Sequence, residues 1–279
     1  MFFTIITATR NAAATLPRLL DSLACQTCRD FELIIQDGAS TDGTVGLAEA
    51  YRDRLPALSL DSAPDRGIYD AWNKALGRIQ GEWVLFLGAD DELASHDTLE
   101  QCRAVFVTLP PTILYAGGGV DFVSRHTDEI VGHKPYFVDK ATEQIQMGNM
   151  PFPHPALWHR QALFDKNHFD DSLSIVADYD FICRTWTKEN GNAVLPFTVT
   201  RMRRGGVSDS PQHTLRIHWE IACVASRYFK GAWTASRILC LLKGCLIWLS
   251  YKLIGPEKTP RLLDVTRRLR GLPPLWKGL

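Results

Sequence analysis

The side chains best suited to chemistry in this chain are acids that close apolar runs. Leu33-Ile34-Ile35 leads into Gln36-Asp37-Gly38-Ala39-Ser40-Thr41-Asp42-Gly43-Thr44, and Trp83-Val84-Leu85-Phe86-Leu87 leads into Gly88-Ala89-Asp90-Asp91-Glu92. Hard divalent cations such as Mg2+ and Mn2+ take oxygen ligands, and Mg2+ is usually held by one or two carboxylates plus substrate phosphates. The Asp90-Asp91 pair therefore suits a metal-diphosphate site. A helix dipole gives a second reason for acids there, since Ser95, Asp97 and Glu100 follow. Asp37 and Ser40 also read two ways. In an open parallel sheet, ligands bind outside the carboxyl ends of strands, yet Asp, Gly and Ser are favoured in any turn.

Elements must position these groups. Phe3 to Ala8 reads as a first strand that ends near Thr7. Leu16, Leu19, Leu20 and Leu23 follow at helical spacing, with Thr15 placed to cap and Pro17 tolerated in the first turn. Leu33 to Ile35 is the next strand, a helix starts at Thr44, and Leu58 to Asp61 is a short strand before Asp65-Arg66-Gly67. Ile68, Ala71, Trp72, Ala75, Leu76 and Ile79 give the strongest helical period. Asp70, Asn73 and Lys74 lie on its other side. A solvated face explains them, and so does a reach of Arg66 and Asp70 toward a ligand beside Asp37. The run Trp83 to Leu87 is typical of a central parallel strand. Strands alternating with helices define an α/β class.

The chain has 279 residues, enough for one α/β domain with a C-terminal extension, and its net charge is zero. The halves differ. Ser226 to Leu279 holds 11 basic and 2 acidic residues, which leaves 20 basic and 29 acidic before it. Seven cysteines at irregular spacing, with no secretory leader, point to a reducing, cytoplasmic compartment. Cys25-Gln26-Thr27-Cys28 has the gap of a redox or zinc motif, but no second pair follows and it falls at a helix end, so it reads as structural.

Asp37 to Thr44, Asp65 to Lys74 and Gly88 to Asp91, in this order and spacing, resemble the family 2 glycosyltransferases, in particular the short non-processive enzymes of bacterial exopolysaccharide, capsule and O-antigen synthesis. The resemblance covers about residues 3 to 210. It implies a GT-A fold, a Rossmann-like nucleotide-binding half (about 1–110) joined to an acceptor-binding half (111–210), with 211–279 as a helical, basic extension. By resemblance, Asp37 contacts the nucleotide base, with Arg66 and Asp70 nearby and Thr7 and Ser40 on the same donor site. Asp90 matches the last carboxylate of the family's Asp-x-Asp motif, which holds Mg2+ or Mn2+ on the diphosphate of a nucleotide-sugar, with Asp91 beside it. Gly88 stands where the first Asp of that motif often is, and Gly38 where many members have a second Asp.

On the acceptor side, Tyr115 to Asp121 reads as a strand and Gly-rich loop that lets a sugar approach the backbone, with Asp121 either a sugar contact or a loop acid. His154, between Pro153 and Pro155, is either an acceptor contact or a packing residue. Ala177-Asp178-Tyr179-Asp180 resembles the family's Glu-Asp-Tyr-Asp segment, which makes Asp178 the catalytic base, with Ala177 in place of Glu. Arg201-Met202-Arg203-Arg204-Gly205-Gly206-Val207-Ser208 follows a strand, Val194 to Thr200, and resembles the family's Gly-Gly-x-Ser loop, in which Arg203 or Arg204 pairs with phosphate. The Gln-x-x-Arg-Trp motif of processive synthases is absent, so transfer of one sugar is expected. These parts suit an inverting displacement: a metal-neutralised leaving group and a carboxylate that deprotonates the acceptor hydroxyl.

Ile238 to Ile254 is the most apolar stretch, interrupted by Lys243, with Ser236, Lys243 and Ser250 forming a polar stripe. It reads as an interfacial helix and not a span, and Arg261, Arg267, Arg268, Arg270, Trp248 and Trp276 suit an anionic membrane. A helix packed on the catalytic domain is the alternative. The expected partners are a nucleotide-sugar and a glycan or lipid-linked acceptor, with peripheral contact at the inner membrane face, and no nucleic-acid motif is present. A sugar-1-phosphate nucleotidyltransferase is disfavoured, because Thr7-Ala8-Thr9-Arg10-Asn11 lacks its Gly-rich basic signature. The other alternative is a catalytically inactive nucleotide-sugar-binding subunit, against which the presence of both Asp90 and Asp178 argues.

Overall fold

The structure is a computed structural model. It describes all residues except 125–126, 137–140, 152, 188–190, 207–209, 230–233, 257, 270 and 272–279, and the side chain of Ser236 is also outside it. The expectations for Val207, Ser208, Arg270 and Trp276 therefore lie outside the described residues.

The N-terminal half alternates strand and helix as its sequence period requires. β1 (Phe3–Thr9), β2 (Phe31–Asp37) and β3 (Leu58–Ser62) pair in parallel, and β4 (Trp83–Phe86) joins β1 on its other side, also parallel. The crossovers are α1 (Leu16–Ala24), α2 (Thr44–Glu49) and α3 (Ile68–Leu76). Leu16, Leu19, Leu20 and Leu23 of α1 are fully buried, each contributing about 2 kcal/mol of apolar burial. Thr15 does not cap α1 as expected. Its own backbone is close to helical (φ −110°, ψ −36°), and its hydroxyl turns back to donate to the Ala12 carbonyl at 3.3 Å.

The second half completes a mixed sheet. It adds β5 (Glu92–Leu93), β6 (Ile113–Val123), β7 (Ile130–Lys134), β8 (Leu157–Arg160) and β9 (Gly191–Arg203). Among the described residues the strand order is β3-β2-β1-β4-β8-β6-β9-β5, with β7 on β6. β4 is thus central and buried, but parallel on one side only, since β8 runs antiparallel to it. One core lies between the sheet and α1 with α4 (Thr98–Phe106). The other lies under α3, α5 (Ala141–Gln146) and α6 (Ala177–Thr185).

Two expectations for this half are corrected. Gly117, Gly118 and Gly119 are not a loop but the middle of β6. A Cβ at Gly117 would fall 2.0 Å from the Tyr136 ring, and one at Gly118 2.6 Å from Val199, so the protein's own side chains fill the space a sugar was expected to use. The strand expected over Val194 to Thr200 also runs longer, through Arg203, because β6 pairs with it as far as Val123.

The C-terminal region is helical: α7 (Thr214–Tyr228), α8 (Ala235–Ile254) and α9 (Lys258–Arg268). Among the described residues, no helix is long and apolar enough to cross a membrane.

Candidate active site

Strand register builds the first part of the site. Thr9, Asp37 and Ser62 are neighbours across β1, β2 and β3, at the carboxyl ends of the strands. Asp37 is fully buried there. Thr9 donates to its Oδ1 at 2.8 Å and Ser62 to its Oδ2 at 2.7 Å. Ser40 adds its hydroxyl on Oδ1 at 2.5 Å and its backbone N–H on Oδ2 at 2.8 Å. Burial pushes this carboxyl up, but the bonds from Ser40, Ser62 and Thr9 outweigh it and hold the group below its ordinary value. With four donors in place, Asp37 clamps three strand ends together. This differs from the expected direct base contact, because its oxygens are already engaged.

The loops above the clamp are bonded to each other. Asn11 N–H donates to Ser40 Oγ at 2.7 Å, and Thr41 N–H donates to Asn11 Oδ1 at 2.9 Å. Asn11 (φ 50°) and Ala39 (φ 57°) both take left-handed backbone here. A Cβ on Gly38 would fall 2.4 Å from Asp65 Oδ2, so the Asp65 carboxylate lies over the glycine that stands where many family members have a second Asp. Thr7 is buried on β1, and its hydroxyl has no protein partner among the described residues.

Asp65 leads into α3, which carries the next groups. Asp70 accepts from the Arg66 N–H at 3.0 Å, pairs with the Arg66 guanidinium at 3.1 Å and with Lys74 at 2.9 Å. The Lys74 ammonium and the Arg66 N–H hold its carboxyl down at about 2. Arg66 also pairs with Asp171, across a small cleft of about 110 Å³ lined by Tyr69, Asp70 and Leu173. Tyr69 was not singled out by the sequence reading, yet it links the halves. Its hydroxyl donates to the Ile175 carbonyl at 2.6 Å and lies 3.2 Å from Asp178 Oδ1.

Asp178 is the second residue of α6. Its Oδ1 also accepts the Tyr179 N–H at 2.9 Å, while Oδ2 has no protein partner among the described residues. Asp180 does a different job. Nearly fully buried, it binds Arg184 at 2.9 Å and the Tyr228 hydroxyl at 3.0 Å, fastening α6 to α7. His154 sits in a 3-10 turn and stacks on Trp72, with ring centroids 5.4 Å apart and planes at 24°. Its Nε2 is buried without a partner among the described residues, and burial lowers its pKa despite the opposing charge of nearby Asp178. It is therefore a packed ring with one nitrogen to spare.

The Asp90-Asp91 pair divides. Asp91 is buried, its Oδ2 accepts the Gly88 N–H at 2.8 Å, and burial, then the charge of Asp90, pushes its carboxyl well up. The expectation that treats Asp90 and Asp91 alike as metal ligands is thus refined by geometry: one Asp91 oxygen is spent on the Gly88 turn. Asp90 is half-buried. A Cβ at Gly88 would come within 2.9 Å of Asp90 Oδ1 and 3.0 Å of Asp91 Oδ2, so this tight turn needs a glycine. Among the described residues no cluster of three or more His, Cys, Asp or Glu could hold a metal. A cation at this turn would be completed by a substrate diphosphate and not caged by protein.

A charged row crosses the sheet beside this turn: His133 on β7, Asp121 on β6, Arg201 on β9 and Glu92 on β5 are register neighbours. Asp121 binds His133 Nδ1 at 2.7 Å. Arg201, which the sequence reading passed over for its neighbours, has a buried Nε without a partner among the described residues. Arg203 is not free for phosphate as expected. It donates to the Ser124 and Thr127 carbonyls at 2.6 and 3.0 Å and pairs with Asp128 at 2.6 Å, holding the β6–β7 turn. The Arg204 guanidinium lies over Phe122 at 5.4 Å.

A parallel N-terminal half, a mixed second half and acids at the strand ends give a fold of the GT-A type. Residues 4–172 match the Glycosyl transferase family 2 pattern, and the chain belongs to that family. It is 36% identical over 187 residues to a PGL/p-HBAD biosynthesis glycosyltransferase of Mycobacterium bovis, covering 66% of this chain and 70% of the relative. Its fold is similar to that of the mannosyltransferase PcManGT of Pyrobaculum calidifontis, solved with GDP-Man and Mn2+ (TM-score 0.61, 20% identity, 99% of this chain and 81% of that one). It also resembles S. aureus TarS (TM-score 0.60, 21% identity, 95% of this chain), of whose length it spans about half, 48%.

Proposed function

We propose that this enzyme transfers a single sugar, with inversion, from a nucleotide-diphospho-sugar to a lipid-linked glycan in cell-surface polysaccharide synthesis. Residues 1–210 form the catalytic domain, and the helical region 211–279 brings it to the inner face of the cytoplasmic membrane. The observation that carries the reading is the free Oδ2 of Asp178, on a carboxylate positioned from the donor side by Tyr69. That oxygen takes the proton of the acceptor hydroxyl as the hydroxyl attacks the anomeric carbon. No covalent intermediate is required, so one displacement inverts the centre.

On the donor side, Asp37 fixes the loop of Ser40, and Thr7 offers an unused hydroxyl below it. Arg66 and Asp70 border the base end, with Asp65 supplying a carboxylate over Gly38. Asp90 would hold Mg2+ or Mn2+, which neutralises charge on the departing diphosphate. Arg201 and Arg204 supply positive charge at the same end. His154 and Asp121 face the acceptor side.

Calorimetric titration of UDP and GDP, with and without Mn2+, tests the donor site on the wild type and Asp90→Ala. One nucleotide should bind more tightly with metal, and the variant should lose that dependence. Failure of both nucleotides under every condition would remove the donor-site assignment and favour the reading of an inactive subunit.

A further inference from the structure

We infer that the outward face of α8 is a docking surface for an anionic lipid bilayer. The inference deepens the membrane reading above by naming the surface and the lipid charge. α8 is 20 residues, about 30 Å long, and only a narrow side of it is packed. Arg237, Gly244 and Ile247 are its buried positions. Arg237 donates to the Gln146 carbonyl, and a Cβ at Gly244 would meet Leu215 and His218 of α7 at 3.2 and 3.0 Å.

At 100° per residue, Ile238, Leu239, Leu242, Leu246, Leu249 and Leu253 fall on one arc directly opposite that packed side. All six are exposed, Leu239 by 67%, Leu246 by 66% and Leu253 by 75%. No polar side chain interrupts the arc. Lys243 borders it on one side, and Lys252, over the Trp248 ring at 5.8 Å, lies toward the other. α9 repeats the pattern on a smaller scale, with Leu262 and Val265, and Leu269 just past its end, exposed beside Arg261 and Arg268.

The spacing of Leu239, Leu242, Leu246, Leu249 and Leu253 would also suit a second copy of the helix, so charge must decide. In a paired helix the positions flanking such a seam carry complementary charges. Here Lys243 and Ser250 flank one side and Cys245 and Lys252 the other, with no acid among them. Two copies would bring lysines together with nothing to neutralise them. An anionic headgroup layer supplies that countercharge, while the aliphatic arc enters the acyl boundary and the lysine stems reach back to the surface.

The surface is coupled to the site. α7, which packs on α8, holds the Ser174 and Ile175 N–H groups through Glu220 at 3.1 and 3.0 Å, immediately before the helix of Asp178.

Co-sedimentation of the full chain with vesicles tests this, using phosphatidylcholine alone and phosphatidylcholine with phosphatidylglycerol. Pelleting should rise at least tenfold with the anionic lipid and fall as far in Leu242→Glu/Leu246→Glu. Lys243→Glu/Lys252→Glu should lose the lipid-charge dependence. Melting temperature and nucleotide binding of the same variants should match the wild type, which separates this surface from the donor site. The inference is overturned if the wild type stays in the supernatant with both vesicles. It is also overturned if light scattering gives a dimer that Leu242→Glu/Leu246→Glu converts to a monomer.

Discussion

The donor-side loops and the start of α6 use their carboxylates in opposite ways. Asp37 accepts four hydrogen bonds, and Asp70 accepts a backbone N–H and binds two cationic side chains. Asp178 leaves Oδ2 unused, and the neighbouring His154 keeps a buried nitrogen without a partner among the described residues. Asp178 is half-buried with Oδ2 open to solvent, whereas leaving the buried His154 nitrogen unsatisfied costs about 1–3 kcal/mol. Asp37 and Asp70 are thus finished in advance by the protein, while Asp178 and His154, like the Thr7 hydroxyl on β1, keep the capacity to take a proton or a hydrogen bond.

The sharpest way to break that contrast is Asp178→Asn. Asparagine keeps the shape and an oxygen for the Tyr69 hydroxyl and the Tyr179 N–H, but it cannot take a proton. Turnover should fall by about 10²–10⁴, as for loss of a general base, while nucleotide affinity and melting temperature stay with the wild type. Steady-state transfer kinetics beside calorimetry would check this. A variant with wild-type turnover would show that the spare oxygen is not the base.

The reciprocal change is Asp37→Ala, which should act on stability first. It strips the acceptor from the Thr9 and Ser62 hydroxyls and from Ser40, all in or beside buried strand ends. A loss of about 3 kcal/mol follows from several donors left unpaired. For a chain of this size that lowers the melting temperature by roughly 5 °C. Melting with the wild type, but without nucleotide binding, would instead make Asp37 a ligand contact and not a clamp.

The same contrast explains what was legible in the sequence. Periodicity located α1, α3 and β4 because a buried leucine or tryptophan repeats with the element that buries it. The strand-end acids were legible for a related reason: an apolar run that stops in Asp-Gly or Gly-x-Asp-Asp marks where a strand meets solvent. What each acid touches was not legible. Asp90 and Asp91 are adjacent and alike in sequence, yet one turns into the Gly88 N–H and the other does not. Arg203 looked free until a turn about 80 residues earlier in the chain took it. Tyr69 shared its helix with so many apolar residues that its hydroxyl carried no signal. The partner of each polar group lies on another element, and local pattern does not carry that information.

Asp70 offers a test by pH. Its carboxyl is held at about 2, below the ordinary 3.8, by Lys74 and the Arg66 N–H. A depressed pKa gives stability that is present above the ordinary value and is lost as pH falls toward 2. Asp70→Asn should therefore be less stable than the wild type at pH 5, and the gap should close between about pH 4 and 2. Urea melts across that range would show it. A gap that stays constant would mean that Asp70 acts through its shape and its hydrogen bonds and not through its charge.

The smallest expected effect probes the backbone of the donor-side loops themselves. Ala39 and Asn11 are both left-handed, but for different reasons. Asparagine tolerates that region, and Asn11 uses its Oδ1 to hold the Thr41 N–H at 2.9 Å. Ala39 has an exposed methyl with no such compensation, and a left-handed L-residue costs about 1–2 kcal/mol. Ala39→Gly should remove that strain and, after the extra freedom of glycine in the unfolded chain, gain about 0.5–1 kcal/mol. Asn11→Gly should go the other way, because it breaks a bond between the two loops. Opposite signs in calorimetric melts of the two variants would show that the loop is held by side-chain bonds that outweigh its backbone strain. If both variants gained stability, the bond between Asn11 and Thr41 would be dispensable, and the donor side would be less fully built in advance than its hydrogen bonds indicate.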